Sequence, residues 1–278
     1  MPSTRCSYLC IMLLASAVFL VSSPVLAMLR VSPAVIEGKF ENGRISGSFT
    51  LTSTDAKTTR VRAFPVHFNL NALGQVVASP VDSNSLALWM KITPREFTLE
   101  ANSERQVRYA IIAPDSVPAG SYWGGIEFLP LPSHQDSIDA QTQVKAIAIV
   151  VVPIMVDKGK PTYAWDMNPD SVHSVVTPGG VVIMAKVENS GTGRIPQKGH
   201  FEVRDAAGNV VNSGATERLS VLPRSTRYLM TTLPKTLPPG QYEYMVTYAS
   251  EVDGSKLTGA CHFDVPDKYP DPPPQKKR

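Results

Sequence analysis

The residue types that most often carry catalysis or hold metal ions are sparse in this chain and are not spaced for either task. Five histidines are spread along the 278 residues, at positions 67, 134, 173, 200 and 262. None belongs to an H-E-x-x-H or comparable ligand pattern, and no G-x-S-x-G sequence offers a serine nucleophile. Gly191-Thr192-Gly193 lacks the flanking strand and helix of a phosphate-binding loop. We therefore predict that the protein is not an enzyme and uses no metal or other cofactor.

The cysteines predict a protein held together by packing. The chain contains Cys6, Cys10 and Cys261. Because the first two lie in a segment that we expect to be removed, Cys261 has no partner for an intrachain disulfide. It sits in an alternating stretch, Leu257 to Val265, where a buried and unreactive thiol is expected.

The N-terminus predicts the compartment. Arg5 precedes a mostly apolar run from Tyr8 to Val21, and Val25-Leu26-Ala27 has the small or tolerated residues found before a cleavage site. Residues 1–27 are therefore interpreted as a secretory signal peptide. An uncleaved anchor helix is the alternative, but the run is shorter than the roughly 20 residues that span a bilayer. No later apolar stretch is long enough to span, so no membrane insertion is expected after cleavage.

Composition and charge exclude several classes of protein. An apolar fraction of 43% is ordinary for a globular chain, and the 24 prolines and 18 glycines are spread as turn residues. The formal charge is +3, and removing Arg5 leaves 26 basic against 24 acidic residues, or +2. Nucleic-acid binding normally needs a basic stripe or patch, so we predict no nucleic-acid partner.

The elements that would position any functional group are predicted to be strands. Apolar residues recur at every second position in several short stretches bounded by turn residues, the period of strands with one buried face. In the first half of the chain these stretches are Val31–Ile36, Ile45–Thr52, Thr59–His67, Ser121–Leu129 and Val144–Val156. The segment WMKITPREFTLEANSERQVRYAI, residues 89–111, adds strands on both sides of Pro94 and of a polar turn. We predict that it forms an antiparallel meander, whose first strand runs from Leu86 to Ile92 with Leu86, Leu88, Met90 and Ile92 on one buried face.

The same rhythm returns in the second half of the chain, after the polar cluster Asp157 to Pro161. Its predicted strands are Gly180–Glu188, Gly199–Arg204, Asn209–Ser213, Thr226–Leu233, Gln241–Ser250 and Lys256–Val265. Asp205 to Asn209 is a predicted hairpin loop with a glycine for positive φ. We predict an all-β protein of two immunoglobulin-like sandwiches, at residues 28–157 and 158–265, followed by a disordered Pro-rich tail at 266–278.

The order of several short motifs resembles a known family. The first strand ends Ala34-Val35-Ile36-Glu37-Gly38; the motifs that follow are Ile92-Thr93-Pro94, Leu99-Glu100, Gln106-Val107-Arg108, an aromatic strand and a long apolar strand that ends at Pro153. Together they cover most of residues 29–156 and resemble the PapD-like periplasmic chaperones of pilus and fimbrial assembly. The second half matches that family in length, position and strand rhythm.

The resemblance implies a function in surface-fibre assembly. In that family the last strand of the first domain is lent to an incomplete pilin subunit, a form of β-augmentation. Here the lent strand would lie within Ile138 to Val150. Its alternate residues are Ile138, Ala140, Thr142, Val144, Ala146, Ala148 and Val150. The implied partners are pilus or fimbrial subunits and an outer-membrane usher.

The resemblance also implies a cationic anchor for the carboxylate that ends the subunit. The family uses an arginine in the first strand and a lysine in the lent strand. This sequence departs from the pattern, because the aligned positions are Pro33 and Ala148. Arg30 and Lys145 are the nearby cations that could replace them, or they are two solvated surface charges.

A second resemblance supports a different function. PDSVPAGSYWGGIEF, residues 114–128, is similar to glycine-aromatic stretches of secreted immunoglobulin-like binding modules. Tyr122 and Trp123 could form a stacking platform there, or they could be core residues beside Gly124-Gly125, where two strands approach closely. The alternative function is thus an envelope or cell-surface binding module without chaperone activity. Adjacent genes for an usher and small secreted subunits would distinguish the two.

Overall fold

The computed structural model describes residues 29–54, 58–131 and 149–271, and within them the chain is built almost wholly from β-strands. Two separate hydrophobic cores are each enclosed by strands from different sheets. The predicted fold class, two immunoglobulin-like β-sandwiches in tandem, is confirmed. The predicted signal peptide, residues 1–27, and residues 272–278 of the predicted tail (266–278) lie outside the described residues. In the described part of that tail, Tyr269 packs against the core of the second sandwich.

Two facing sheets form the first sandwich. Its strands are β1 (Leu29–Ser32), β2 (Ile36–Lys39), β3 (Arg44–Ser53), β4 (Thr59–Val66), β5 (Phe68–Leu70), β6 (Val76–Ala78), β7 (Met90–Thr93), β8 (Glu96–Leu99), β9 (Glu104–Ile112), β10 (Gly120–Leu131) and β11 (Val150–Lys158). One sheet has the order β1-β3-β9-β7 and the other has β2-β11-β10-β4-β8, while β5 and β6 form a separate two-stranded hairpin. Strand β2 runs parallel to β11, and the other pairs in these two sheets are antiparallel.

Apolar residues at alternate positions of the strands fill the first core. Phe49 of β3 and Tyr109 of β9 are buried, with ring centroids 5.2 Å apart. Phe128 of β10 meets Phe49 edge-on from the opposite sheet at 5.9 Å. Aromatic pairs in tilted or edge-on contact add to the free energy gained by burial. The two sheets are thus joined through large side chains that alternate with exposed polar ones.

Two stretches predicted as continuous are instead divided between the sheets at a proline. The strand expected over Val31–Ile36 is split by a bend at Pro33, so that β1 pairs with β3 and β2 pairs with β11. The predicted meander through Pro94 was wrong in its pairing, because β7 joins β9 whereas β8 joins β4 in the other sheet. Proline donates no ladder hydrogen bond, and in both places the chain leaves one sheet and enters the other.

The start of the predicted meander also differs from expectation. Residues Ala87–Trp89 form a 3-10 turn, and only from Met90 is the chain a strand. Alternation predicted an inward-facing Leu88, but the turn leaves that side chain 78% exposed. Leu86 and Met90 on either side are buried as predicted.

The glycine-aromatic stretch is part of the first domain's interior. Tyr122 and Trp123 are 3% and 4% exposed, so they form no stacking platform at the surface. A Cβ on Gly124 would stand 3.0 Å from the carbonyl oxygen of Val66, and one on Gly125 would stand 3.0 Å from that of Val152. The interpretation of these residues as core beside a close strand approach is confirmed.

The second sandwich follows a short connection. Its strands are β12 (Trp165–Asp166), β13 (Val172–Thr177), β14 (Gly180–Asn189), β15 (Ile195–Asp205), β16 (Val210–Ala215), β17 (Leu219–Val221), β18 (Ser225–Thr232), β19 (Gly240–Ser250) and β20 (Lys256–Val265), with a 3-10 turn at Pro169–Ser171. Strand β14 lies between β18 and the pair β12 and β13; the facing sheet has the order β16-β15-β19-β20, with β17 beside β15. The predicted hairpin loop is confirmed, because Gly208 has φ +84° in the turn between β15 and β16.

Aromatic stacking organises the second core. Phe201 stacks on Tyr244, and Tyr242 stacks on Phe263, each pair with centroids 5.6 Å apart. Burial raises the pKa of Tyr244 to about 12, and its hydroxyl donates to Thr231 Oγ1 at 2.9 Å. Cys261 packs against this core but is half-buried rather than fully buried, and burial raises the pKa of its thiol to about 11.

Candidate functional site

The outer edge of β11 is covered along only part of its length. Strand β2 pairs with Ile154–Asp157, at the end of β11 next to the second domain. Upstream, Val150–Pro153 pair with β10 on one side, and within the described ranges no strand pairs with them on the other side. Among the described residues this stretch is therefore an open sheet edge, which is a ready template for pairing with another chain.

The contacts of β2 show which main-chain groups face this open edge. The N–H of Phe40 donates to the carbonyl oxygen of Asp157 at 2.9 Å, so the main chain of Asp157 faces β2. Main-chain groups along a strand alternate between its two neighbours, and Val151 and Pro153 therefore face the same way. Proline has no N–H. The N–H of Val151 is thus the donor that Val150–Pro153 present to a new strand, beside the carbonyl oxygens of Val151 and Pro153.

The side chains at this edge are apolar. Val152 is 1% exposed and points into the first core, while Val151 and Pro153 lie half-buried on the other face of the sheet. Ile149, just upstream of β11, is 52% exposed. No charged residue stands between Ile149 and Pro153. This edge has β-branched residues and no charged side chain to discourage strand addition, and its one blunting residue is Pro153, which lies at the end next to β2.

The opposite edge of the same sheet is different. There the short strand β8 carries Glu96, which both Arg60 and Arg62 of β4 contact through salt bridges. Charged side chains on a short edge strand oppose pairing with another chain. The two edges of this sheet are therefore unequal, and β11 carries the one suited to a partner.

Few of the residues predicted to contact a subunit lie in the described ranges. Val150 does, and its side chain packs against the first core opposite Phe128. The other members of the predicted lent strand, and the candidate anchor Lys145, lie outside the described residues: Ile138, Ala140, Thr142, Val144, Ala146 and Ala148.

Arg30 lies far from the contact between the two domains. It is exposed on β1 opposite Thr52 of β3. The other end of β3, at Arg44, pairs with Glu41, next to Phe40 and the junction end of β11. Thr52 lies eight positions after Arg44 along β3, a span of roughly 25 Å in a strand. The structure therefore does not bring Arg30 to the junction.

A carboxylate of the first domain is bound there by two arginines of the second. Arg194 Nη1 donates to Glu37 Oε1 at 2.6 Å, and Arg218 Nη2 donates to Glu37 Oε2 at 3.1 Å. The side chain of Arg194 is 7% exposed and that of Glu37 is 26% exposed. Arg218 also contacts Glu251 at 2.8 Å. The junction is therefore held by a charge network with one end largely withdrawn from water.

The charge network lowers the pKa of Glu37. Desolvation alone would raise that pKa, but it is outweighed by the hydrogen bond from Arg218 and by the charges of Arg194 and Arg218. The same contacts, with Glu37 first and Glu251 second, raise the pKa of Arg218. Glu37 is thus ionised at neutral pH and keeps its two partners.

A buried serine joins the two domains beneath this network. Ser121 Oγ accepts the main-chain N–H of Arg194 at 2.7 Å and donates to the Asp157 carboxylate. The N–H of Ser121 donates to the carbonyl oxygen of Thr192 at 2.9 Å. Asp157, the first residue of the polar cluster Asp157 to Pro161 between the two predicted domains, is therefore buried at the end of β11 and accepts a hydrogen bond.

An apolar cluster completes the junction. Phe68 and Trp123 of the first domain pack with Leu222 of the second, and all three are less than 5% exposed. Trp123 Nε1 donates to the carbonyl oxygen of Phe68 at 2.7 Å, which fixes the ring. Met155 of β11 packs against the same cluster. The strand with the open edge is therefore anchored at its far end by contacts from both domains.

Sequence patterns missed the junction residues. Glu37 is separated from Arg194 by 157 residues and from Arg218 by 181, so no local spacing could pair them. The one available signal was Arg194 itself, a charged residue directly before the apolar start of β15. Among the described residues no group of histidine, cysteine and carboxylate side chains could hold a metal ion, and no helix is long and apolar enough to cross a bilayer.

Comparisons with known proteins find similarity at the level of structure. No family model matches the sequence, and no curated protein sequence matches it significantly. The solved structures that the chain resembles include several chaperones, among them chaperones of fimbriae. The class 5 fimbriae chaperone CfaA is 11% identical, with 86% of this chain and 99% of that chain covered and a TM-score of 0.45. The SafA pilin–SafB chaperone complex of Salmonella enterica matches with 13% identity, 86% of this chain and 97% of that chain covered, and a TM-score of 0.44. The E. coli chaperone DraB matches with 14% identity, 85% of this chain and 96% of that chain covered, and a TM-score of 0.41.

Proposed function

We propose that this protein is a periplasmic chaperone that binds and stabilises pilus or fimbrial subunits by pairing a strand with them. The observation that carries the proposal is the uncharged open edge of β11 at Val150–Pro153. An open edge supplies main-chain hydrogen bonds, and alternate side chains of the added strand supply specificity. This chemistry needs no catalytic group and no cofactor.

The open edge extends toward the predicted lent strand. Ile138, Ala140, Thr142, Val144, Ala146 and Ala148 precede Val150 with the spacing of one strand face, and they remain the predicted contacts with the subunit. Lys145 remains the predicted anchor for a terminal carboxylate, whereas the position of Arg30 does not support that role. An outer-membrane usher remains a predicted partner.

Replacing Val151 by proline tests the proposal at one atom. Val151→Pro removes the N–H that faces the open edge and leaves the hydrogen bonds between β10 and β11 in place. A net hydrogen bond is worth about 0.5–1.5 kcal/mol, so binding should weaken by about 2- to 10-fold. Val151→Thr is the matched control, because threonine keeps the N–H and the branched Cβ. Calorimetric titration with a small secreted subunit encoded beside this chain would measure both dissociation constants.

The outcomes separate the two candidate functions. Equal affinity of Val151→Pro and Val151→Thr for the subunit would contradict strand addition at β11. Failure of the unmodified chain to bind any co-secreted subunit, together with binding to purified envelope polymers, would favour the binding-module alternative. Circular dichroism of both variants would show that the fold is kept.

A further inference from the structure

The β5–β6 hairpin belongs to neither sandwich and projects from the first domain toward the second. It is a two-stranded sheet in which Phe68 pairs with Ala78 and Leu70 with Val76. An isolated hairpin of this size is marginally stable in water, so its position depends on what packs against it. Its base is fixed by the contacts of Phe68 with Trp123 and Leu222.

The tip of the hairpin is organised by one side chain. Asn71 Oδ1 accepts the main-chain N–H groups of Leu73 and Gln75, each at 3.0 Å. The N–H of Gly74 donates to the carbonyl oxygen of Asn71 at 2.8 Å, and Asn71 Nδ2 donates to Gln75 Oε1, also at 2.8 Å. An asparagine that bonds the amides of its own turn holds one loop conformation. The tip is therefore shaped by its own hydrogen bonds.

This tip contacts the edge of the second domain at adjacent residues. The carbonyl oxygen of Ala72 accepts the N–H of Tyr228 at 2.6 Å. Tyr228 lies on β18, whose other side pairs with β14. Gly74 lies against the guanidinium of Arg227: a Cβ on that glycine would stand 2.7 Å from Cζ and 2.8 Å from Nε. The glycine, with φ +78°, thus serves both the turn and the contact.

Arg227 has little room to move aside. It is 9% exposed, and its Nη1 donates to the carbonyl oxygen of Ser220 in its own domain. Among the described residues no carboxylate lies within salt-bridge distance of it. Displacing the guanidinium would break the bond to Ser220, so contact with Gly74 constrains both domains.

We propose that the hairpin tip is a latch that fixes the orientation of the two sandwiches, with Gly74 and Arg227 as its positioning residues. The latch reaches the second domain through β18, whereas the charge network reaches it through Arg194 and Arg218. The hydrogen bonds of Ser121 and the apolar cluster of Phe68, Trp123 and Leu222 also join the domains, and the latch adds to all of these a contact made through β18. The value of this rigidity for subunit binding rests on the proposed function, since a fixed second domain beside the β11 edge lowers the entropy lost on binding.

The turn glycines provide a matched test. Gly74, Gly208 and Gly254 have φ of +78°, +84° and +73°, but only Gly74 has another residue within 4 Å of an added Cβ. Gly74→Ala should therefore combine backbone strain with a clash at Arg227, whereas Gly208→Ala should add the strain alone. The double variant Gly74→Ala with Arg227→Met removes the guanidinium and should relieve the clash.

Residual dipolar couplings of backbone amides in the free protein measure the orientation directly. We expect one alignment tensor to fit both sandwiches in the unmodified chain and in Gly208→Ala. In Gly74→Ala the common tensor should be lost, and the double variant should restore it. Asn71→Ala, which removes the acceptor for the amides of Leu73 and Gln75, should lose it as well.

Other results would overturn the latch. A common tensor in both Gly74→Ala and Asn71→Ala would show that the tip does not set the orientation. Loss of the common tensor in both Gly74→Ala and Gly208→Ala, or failure of the double variant to restore it, would show that the clash with Arg227 does not cause the change in orientation. Because no subunit is present, these results do not depend on the proposed function. Val151→Pro should weaken subunit binding and keep the common tensor.

Discussion

Among the described residues, Glu37 supplies the carboxylate of both salt bridges between the two sandwiches. Both of its carboxylate oxygens are used, one by Arg194 and one by Arg218. Arg194 is nearly buried, so it cannot exchange the carboxylate for water. An unpaired buried charge costs more than a pair between exposed residues gains.

We expect Glu37→Gln to destabilise the protein at neutral pH. The change leaves Arg194 without its charged acceptor, which should lower the free energy of unfolding by about 1–3 kcal/mol. Glu96→Gln is the matched control, because Glu96 also meets two arginines but on an exposed surface. Its effect should be smaller, and equal losses in chemical denaturation would contradict the account of the junction.

The stabilisation that Glu37 provides should depend on pH. Because the pKa of Glu37 is lowered in the folded protein, its contribution is complete above the ordinary value of 4.5 and is lost as pH falls through the folded pKa. The difference in unfolding free energy between the unmodified chain and Glu37→Gln should therefore shrink below about pH 4.5. Denaturation curves at a series of pH values measure it, and a constant difference would contradict the assignment.

At the scale of elements, the close approach of β10 to its neighbours depends on Gly125. A Cβ there would stand 3.0 Å from the carbonyl oxygen of Val152 and 3.0 Å from Val151 Cγ1. Gly125→Ala should push β11 away from β10 and lower the free energy of unfolding by about 1–3 kcal/mol. Gly179→Ala is the control, since its nearest contact would be an ordinary 3.5 Å. Equal thermal stability of the two variants would contradict this packing.

The sequence predicted where strands lie better than it predicted which strands pair with each other. Strand β20 has the predicted bounds, Lys256–Val265, because alternation with a period of two is a local property. The assignment of β7 and β8 to different sheets could not be read in the same way. Pro94 marks a break in the ladder, but which sheet the chain enters next depends on packing across the core.

The candidate site was predictable in part for the same reason. The apolar run that ends near Pro153 was visible in the sequence and was interpreted as a strand for a partner. Strand β2 pairs only with Ile154–Asp157 of β11, which leaves the N–H of Val151 facing the open edge. Because β2 lies more than a hundred residues earlier in the chain, no local pattern shows where this pairing stops. The latch joins Gly74 to Arg227 across both domains, and no local pattern encodes that contact.

At the scale of the whole molecule, the two sandwiches present one sheet edge at a defined place. The charge network and the hairpin tip fasten the second domain beside the junction end of β11. The upstream end of the same strand is left open and apolar. Under the proposed function, a partner strand would pair with main-chain groups that are already held in strand geometry, so little ordering would be needed at the site itself.

Hydrogen–deuterium exchange at the amide of Val151 tests the central claim most directly. In the free protein this N–H faces the open edge, so it should exchange much faster than the amide of Val152, which faces β10. In a complex with a co-secreted subunit, strand addition should slow exchange at Val151 and leave Val152 slow. A complex in which Val151 exchanges as fast as in the free protein, with protection elsewhere, would contradict binding at the edge of β11.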